Sequence, residues 1–249
     1  MEITQTVSVI TGGGTGIGRA LALRLAGRGH IVVVAGRRRS PLDALAALQA
    51  GIEPCPADIS TEEGQAALRA AVGERPVRFL VHNAGVLDPV GPLLSQSAQA
   101  IRRSLAINLE APIALTRLMR PQMEEGGRIL NISSGAAHRA LPGWGAYCTS
   151  KAALYMVYEV LKQELAGSGV AIGSLRPGVV DTPMQSLIRA QDASDFPAVE
   201  RFRALKETGG LTSPEAVARF IDAVLEVPAE RFSAAEWDIR EHWDAVIPG

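Results

Sequence analysis

The stretch Thr11-Gly12-Gly13-Gly14-Thr15-Gly16-Ile17-Gly18 joins two segments of different character. Residues 6–10 before it form a short apolar run, which is typical of a buried strand. The residues after it are apolar and helix-prone, and Gly29 and His30 end that segment before a second strand-like run at residues 31–35. Strand, glycine turn, helix and strand in this order predict a βαβ unit.

A glycine turn between a strand and a helix has a specific chemical use. Glycines let the backbone come close to a pyrophosphate, and the N–H groups and positive dipole at the helix start hold its charge. Three fixed glycines alone are weak evidence, but their position between strand and helix strengthens it. The turn therefore predicts a dinucleotide site with contacts at Gly12, Gly14, Thr15, Gly16, Ile17 and Gly18.

Strand-like runs recur along the chain, mostly with helix-like segments between them. They cover residues 6–10, 31–35, 52–55, 79–82, 128–133 and 170–175. This alternation predicts an α/β fold: one doubly wound parallel sheet of Rossmann type, with helices on both faces. The length of 249 residues fits a single domain, 1–249. Ligands of such sheets bind where strands end, at Asn83-Ala84-Gly85, Ser133-Ser134 and Pro177-Gly178.

Tyr147 and Lys151 are the candidate acid and its partner. They stand four residues apart at the head of a long helical segment, so both side chains face the same side. A neighbouring ammonium favours the phenolate and lowers a pKa that starts near ~10. Ser134, thirteen residues before Tyr147, ends a strand-like run. A surface helix pair is the alternative interpretation for an isolated match of this kind.

These landmarks together resemble the short-chain dehydrogenase/reductase family over essentially the whole chain. The matching positions are the T-G-x-x-x-G-x-G turn, Asp58-Ile59, Asn83-Ala84-Gly85, Asn108, Ser134, Tyr147, Lys151, Pro177-Gly178 and Thr182. The resemblance implies that these residues and Val180 surround a nicotinamide cofactor. His82 stands where the family more often has a second asparagine, and no cluster of metal-binding residues accompanies it.

The resemblance also implies roles in carbonyl reduction. Tyr147 would be the acid, and Ser134 would be the second donor to the same oxygen. Lys151 would hold the nicotinamide ribose and lower the pKa of Tyr147. Asn108 would anchor a water that links Lys151 to solvent; alternatively it is a polar residue inside a helix, bonded to backbone.

The residues after the second strand bear on cofactor choice. An acid commonly binds the ribose hydroxyls of NAD there, but this chain has Gly36 followed by Arg37, Arg38 and Arg39. An arginine suits the 2'-phosphate of NADP, so we predict NADP with Arg37 as its main contact. A solvated basic turn is the alternative for Arg39 and also for Arg38.

On the substrate side, the strings around Trp144 and Met184-Gln185 resemble the sepiapterin reductase and benzil reductase branch. In that branch a late aspartate anchors a pterin, and Asp238 is the matching position. Trp144 can equally be a packing residue. Residues 184–210, broken by Pro197 and Gly209-Gly210, are the predicted substrate lid.

Composition narrows the classes of protein. A net charge of -1 gives no field for nucleic acid, and Cys55 and Cys148 form neither a metal-ligand pattern nor a disulfide framework. No signal layout and no apolar run of ~18 residues is present, so we expect a cytoplasmic protein without a membrane span. A homo-oligomer, a dimer or tetramer, is also expected from the resemblance.

The sequence thus favours an NADPH-dependent carbonyl reductase acting on a ketone, diketone or pterin-like carbonyl. One alternative is an NAD(P)-dependent alcohol dehydrogenase working oxidatively, since the same residues catalyse both directions. The other is an NADPH-binding sensor or scaffold without turnover, against which the intact Ser134, Tyr147 and Lys151 argue.

Overall fold

A seven-stranded sheet forms the centre of the protein, whose computed structural model describes residues 6–247. Its strands are β1 Val7–Thr11, β2 Ile31–Gly36, β3 Ile52–Pro56, β4 Val77–His82, β5 Arg128–Ile132, β6 Ala171–Arg176 and β7 Trp237–Asp238. Their order is β3-β2-β1-β4-β5-β6-β7, and every neighbouring pair is parallel. The predicted parallel sheet is confirmed, whereas the two-residue strand β7 was not predicted.

Helices cover the two faces of this sheet. They are α1 Gly16–Gly27, α2 Arg39–Leu48, α3 Glu62–Val72, α4 Ala98–Leu105, α5 Ala111–Met119, α6 Gly145–Glu164, α7 Pro183–Arg189, α8 Val199–Glu207, α9 Pro214–Leu225, α10 Ala229–Ala234 and α11 Ile239–Val246. Among the helices of residues 6–247, none combines the length and apolarity needed to cross a membrane.

Alternation along the strands divides the core into two layers. Val32 and Val34 of β2 pack in the cluster that contains α1, α2 and α9, whereas Val33 and Ala35 pack in the cluster with α3, α5 and α6. Successive strand residues point to opposite faces, so a strand buried on both sides is apolar throughout. This explains why the strand-like runs are continuous in the sequence.

The strand order reverses between β1 and β4, and this reversal positions the site. β1 pairs with β2 on one side and with β4 on the other, so the connections leave the carboxyl ends of β1 and β4 in opposite directions. A crevice opens at such a point, and ligands of open α/β sheets bind there.

Residues 184–210 are more regular than their sequence indicated. They contain most of α7 and all of α8, and the Arg203 guanidinium ties the two helices by donating to the carbonyl oxygens of Arg189, at 3.1 Å, and Gln191, at 3.0 Å. Pro197 and Gly209 lie outside both helices, where chain breakers are expected. Closure of this segment over a substrate stays a prediction.

Candidate active site

The glycine turn leaves β1 and enters α1 at the crevice. Gly12 has a φ of +67°, and a Cβ atom there would lie 2.8 Å from the Cα of Ala84. At Gly18 a Cβ would lie 2.5 Å from Asn83 Nδ2. Both positions therefore require glycine, one for its backbone conformation and both for close packing against the end of β4.

The start of α1 is suited to an anion. Thr15 precedes the helix but makes no side-chain capping bond, and the first turn of α1 contains no acidic residue. The N–H groups at a helix start have no partner within the helix, and they share the positive end of the dipole. A phosphate group is the ligand that this arrangement favours.

Thr11 holds the turn against the end of β4. Its hydroxyl oxygen accepts hydrogen bonds from the backbone N–H of Asn83, at 3.1 Å, and of Ala84, at 3.0 Å. Asn83 Nδ2 donates in return to the carbonyl oxygens of Thr11 and Gly12, at 2.9 and 3.1 Å. Asn83 thus shapes the turn through its side chain. Sequence analysis missed Thr11, although its place directly before the glycines was a usable signal.

A cavity of about 650 Å³ lies at this end of the sheet, within the size range of small-molecule sites. The predicted residues that line it are Gly12, Gly14, Thr15, Gly16, Ile17, Arg37, Arg38, Asp58, Ile59, Asn83, Ala84, Gly85, Tyr147, Lys151, Pro177, Thr182 and Met184. The predicted residues Gly18, Asn108, Ser134, Trp144, Gly178, Val180, Gln185 and Asp238 do not line it.

Two arginines stand at one end of the cavity. Arg37 and Arg38 are exposed and line it beside Gly36, whereas Arg39 begins α2 and is not part of the wall. The pKa of Asp58 is lowered, first by a side-chain hydrogen bond from Ser60 and further by the positive charge of Arg37. Arg37 thus contributes positive charge to Asp58, which lines the same cavity.

Tyr147 and Lys151 lie on the same face of α6, as predicted, and both are buried in the cavity wall. Lys151 Nζ donates to the carbonyl oxygen of Ile132 at 2.8 Å, and burial lowers its pKa to about 8. Burial raises the pKa of Tyr147, and a side-chain hydrogen bond with Ser134 opposes that rise. The predicted lowering by Lys151 is thus not found, because removal of the phenol from water outweighs its favourable contacts.

Ser133 and Ser134 follow β5. Ser133 lines the cavity, whereas Ser134, the predicted site residue, does not. Ser134 Oγ accepts from Ala136 N at 3.1 Å and caps the short 3-10 turn Gly135–Ala137, beside Tyr147. Ser133 lines the cavity, and its buried hydroxyl has no hydrogen-bond partner among residues 6–247. Sequence analysis placed Ser133 at a strand end where ligands bind but assigned the site role to Ser134 alone.

Asn108 lies in a π-helical turn, Ala106–Glu110, between α4 and α5. Its Nδ2 donates to Val86 O at 2.8 Å and to Ser150 Oγ at 3.0 Å, while its Oδ1 accepts from Val86 N at 2.8 Å. The side chain thus fixes the loop after β4, which faces Lys151. Such π turns are frequent at functional sites. A role in anchoring water stays a prediction.

The loop after β6 closes the cavity. Gly178 adopts a φ of +74°, and the buried Val180 bridges to Thr212. The Thr182 hydroxyl accepts from Gln185 N at 3.4 Å and donates to Val180 O at 3.4 Å, so it caps α7. Of these residues, Thr182 lines the cavity, and Val180 contacts it through the hydrogen bond from the Thr182 hydroxyl.

Trp144 and Gln185, predicted on the substrate side, are packing residues in this structure. The Trp144 indole is buried and stacks on Phe196, with ring centroids 4.5 Å apart. Gln185 is buried and accepts a 3.0 Å hydrogen bond from Arg189. Met184 lines the cavity, as do Leu87, Asp88 and Leu187, three residues that the sequence did not identify.

Asp238, predicted to anchor a pterin, does not line the cavity. Its side chain is 0% exposed, and its carboxylate binds Arg176 at 3.2 Å and Arg240 at the start of α11. It also caps α11 by accepting from Arg240 N at 2.9 Å. A carboxylate held by two guanidinium groups has no free face for a pterin, so Asp238 stabilises the junction of β7 and α11.

A family model described as short chain dehydrogenase matches residues 6–193. The chain belongs to the short-chain dehydrogenase family. A benzil reductase ((S)-benzoin forming) of Bacillus subtilis is 33% identical over 239 residues, covering 94% of this chain and 98% of the relative. An L-xylulose reductase of Cavia porcellus is 35% identical over 180 residues, covering 71% and 72% of the two chains.

Solved structures of short-chain dehydrogenases share the fold. The YIR035C short chain dehydrogenase/reductase from Saccharomyces cerevisiae has a TM-score of 0.89 and 26% identity, covering 98% of this chain and 100% of that chain. A 3-ketoacyl-(acyl-carrier-protein) reductase from Brucella melitensis complexed with NADH has a TM-score of 0.79 and 26% identity, covering 94% and 96%. Among its relatives this chain is close to the benzil reductases.

Membership makes this protein an oxidoreductase of a family that uses nicotinamide cofactors, and its cavity fits such a group. The bare start of α1 offers N–H groups for a pyrophosphate. The arginines at one end offer charge for the nucleotide, and Tyr147 and Lys151 flank the other end. The buried Ser133 hydroxyl, which has no hydrogen-bond partner within the described part of the chain, adds a polar group to the same cavity.

Proposed function

We propose that this protein is an NADPH-dependent reductase of ketones or diketones, with Tyr147 as its general acid. One observation carries the proposal: Tyr147, Lys151, the glycine turn and Arg37 all line one cavity. An acid, a cation and a phosphate-binding turn on one cavity are the parts that hydride reduction of a carbonyl needs.

When bound, the reduced nicotinamide supplies the hydride, and the protein supplies the proton. Tyr147 donates that proton to the carbonyl oxygen, and the Ser134 hydroxyl beside it is the second donor to the same oxygen. The raised pKa of Tyr147 keeps the phenol protonated at neutral pH. This is the form that reduction requires, because an acid must carry its proton before it can give it.

Lys151 is the residue expected to hold the nicotinamide ribose. With a pKa of about 8 its amine is mostly an ammonium at neutral pH, and it is anchored by Ile132 O. Asn108 fixes the loop from Gly85 to Val86 against it, which keeps the ammonium in one position. Both residues thus position groups around Tyr147.

The choice of NADPH rests on charge at the other end of the cavity. The wall there contains Gly36, Arg37 and Arg38, with no carboxylate directly after β2. A 2'-phosphate would gain a charge-assisted hydrogen bond from Arg37, and no acid at Gly36 would repel it. Each such bond contributes roughly 1.5 to 3 kcal/mol.

The substrate proposal follows from the remaining wall. Leu87 and Met184 pack in the same apolar cluster as Tyr147, and Leu187 extends the wall with a half-exposed side chain. Asp88 is the charged residue beside them. An apolar wall with one acid suits a neutral ketone or aromatic diketone, which agrees with the substrate named for the related benzil reductases.

A turnover screen tests the proposal. Purified protein is mixed with NADPH or NADH and a panel containing an aromatic diketone, an aliphatic ketone, a sugar ketone and a pterin carbonyl. In parallel it is mixed with NADP⁺ and the corresponding alcohols. We expect diketone reduction with NADPH to exceed that with NADH by at least ~10-fold. Turnover only of alcohols with NADP⁺ would favour the oxidative alternative, and NADPH binding without any turnover would favour a sensor.

A further inference from the structure

Ser133 differs from the other buried serines of the described residues. Ser8, Ser104, Ser150 and Ser174 are also buried, and each hydroxyl has a hydrogen-bond partner in the protein. The Ser133 side chain, in a residue only 4% exposed, has none. A buried hydroxyl without a partner costs free energy, so most such groups in proteins are bonded.

The position of Ser133 indicates where its partner would come from. Its backbone is fixed at the end of β5, where Ser133 N donates to Leu175 O at 2.8 Å. The preceding residue, Ile132, accepts from Lys151 Nζ, and Ser133, Ile132, Tyr147 and Lys151 all line the cavity. The unmet hydroxyl therefore lies at the end of β5, in the same cavity as Tyr147 and Lys151.

We propose that Ser133 is a positioning residue whose hydroxyl hydrogen-bonds the carboxamide of the nicotinamide ring. The inference rests on the proposed function for its ligand. A hydroxyl both donates and accepts, and a carboxamide offers an acceptor oxygen and donor N–H groups, so the two match in either orientation. The bond fixes the rotation of the ring relative to Tyr147, which sets the alignment for hydride transfer.

Two ligands separate this role from a structural one. NADPH contains the carboxamide, whereas 2'-phospho-ADP-ribose has the same nucleotide and both riboses but no nicotinamide. For Ser133→Ala, isothermal titration should show NADPH binding about 3- to 10-fold weaker, the range of one hydrogen bond, with the fragment unchanged within about twofold. Because the hydroxyl has no protein partner, the urea midpoint of the variant should equal or exceed that of the wild type.

Two matched variants serve as controls. Ser133→Thr keeps a hydroxyl and should restore NADPH affinity. Ser8→Ala removes a buried strand serine of β1 that does not line the cavity, and it should bind both ligands like the wild type.

Several outcomes overturn the inference. Equal weakening of both ligands would make Ser133 a structural serine, and unchanged NADPH affinity would show that no bond to the cofactor exists. In steady-state kinetics of Ser133→Ala, a rise confined to the KM of the carbonyl substrate would assign the hydroxyl to the substrate. The titrations measure binding and need no catalysis. If the protein binds NADPH without turnover, the proposed function is wrong, but the titrations still test the role of Ser133. A wild type that binds neither NADPH nor NADH overturns both.

Discussion

Lys151 Nζ lies 5.9 Å from the centroid of the Tyr147 ring and donates a 2.8 Å hydrogen bond to Ile132 O. Tyr147 and Lys151 both lie on α6, and Ile132 is the last residue of β5. The ammonium is thus held between the Tyr147 ring and the end of β5. Burial raises the pKa of Tyr147, so the phenol stays protonated at neutral pH.

Replacement of the acid gives the first prediction. Tyr147→Phe should keep the fold and NADPH binding but lose carbonyl reduction by at least ~100-fold, the usual scale for removal of a general acid. Turnover by stopped-flow and NADPH binding by titration check both parts. Tyr155→Phe is the matched control, because Tyr155 lies two helical turns further along α6 and does not line the cavity. Wild-type turnover in Tyr147→Phe would end the assignment of this residue.

Removal of one arginine gives the second prediction. Arg37→Ala should raise the KM for NADPH roughly 10-fold or more, since one charge-assisted contact of ~1.5 to 3 kcal/mol is lost, and should barely change the KM for NADH. Steady-state kinetics with both cofactors measure the effect. Arg39→Ala removes the same charge from a residue outside the cavity wall and should be neutral. An equal effect on NADPH and NADH would remove Arg37 as the discriminating residue.

The parallel sheet and the glycine turn could be predicted from sequence for a physical reason. Each strand of a sheet buried on both faces is a continuous apolar run, and each turn between strand and helix carries its own glycines. These signals are local. The strand β7 has two residues, Trp237 and Asp238, so its pairing with β6 leaves no periodic pattern to detect.

The parts of the site that the sequence missed depend on tertiary contacts. Whether Ser133 or Ser134 faces the cavity is decided by how β5 ends and by the cap that Ser134 provides to the next turn. Asp238 was assigned to the substrate by its resemblance to the late aspartate of the reductase branch, and its ion pair with Arg176, 62 positions earlier in the chain, leaves no local pattern. Burial and distant ion pairs are not visible in short strings of residues.

The buried His82 gives a prediction for stability against pH. Its Nε2 lies 2.9 Å from Thr116 Oγ1, and burial lowers its pKa from 6.5 to about 3. Between these two values the unfolded chain binds a proton that the folded chain does not, so the folded state loses stability as the pH falls below 6.5. At pH 5 the loss is about 2 kcal/mol, from about 1.5 units at 1.36 kcal/mol each.

His82→Asn removes this titration while keeping a polar side chain beside Thr116. Urea unfolding at pH 7 and pH 5 measures the free energy of unfolding of both proteins. From pH 7 to pH 5 the wild type should lose about 2 kcal/mol more than the variant, because all other titrating groups are shared. The same loss in both proteins would mean that His82 is protonated in the folded state.

The final prediction concerns the charge of the substrate. Asp88 is exposed and lines the cavity beside Leu87, after β4, whereas the cavity arginines Arg37 and Arg38 follow β2. A carboxylate on the substrate would therefore approach a like charge, at a cost of about 1 kcal/mol near 4 Å in a water-like medium. Neutral diketones meet no such repulsion, so the wild type should prefer them to 2-oxo acids.

Asp88→Asn should raise kcat/KM for a 2-oxo acid about fivefold, the equivalent of about 1 kcal/mol, and leave a neutral aromatic diketone within about twofold. The preference of the wild type should also shrink when the salt concentration rises, since exposed charges are screened. Asp195→Asn is the control, because Asp195 lines a separate surface cleft with Leu93 and Leu141. If Asp88→Asn changed both substrates by the same factor, the carboxylate would act on the shape of the loop after β4 rather than on substrate charge.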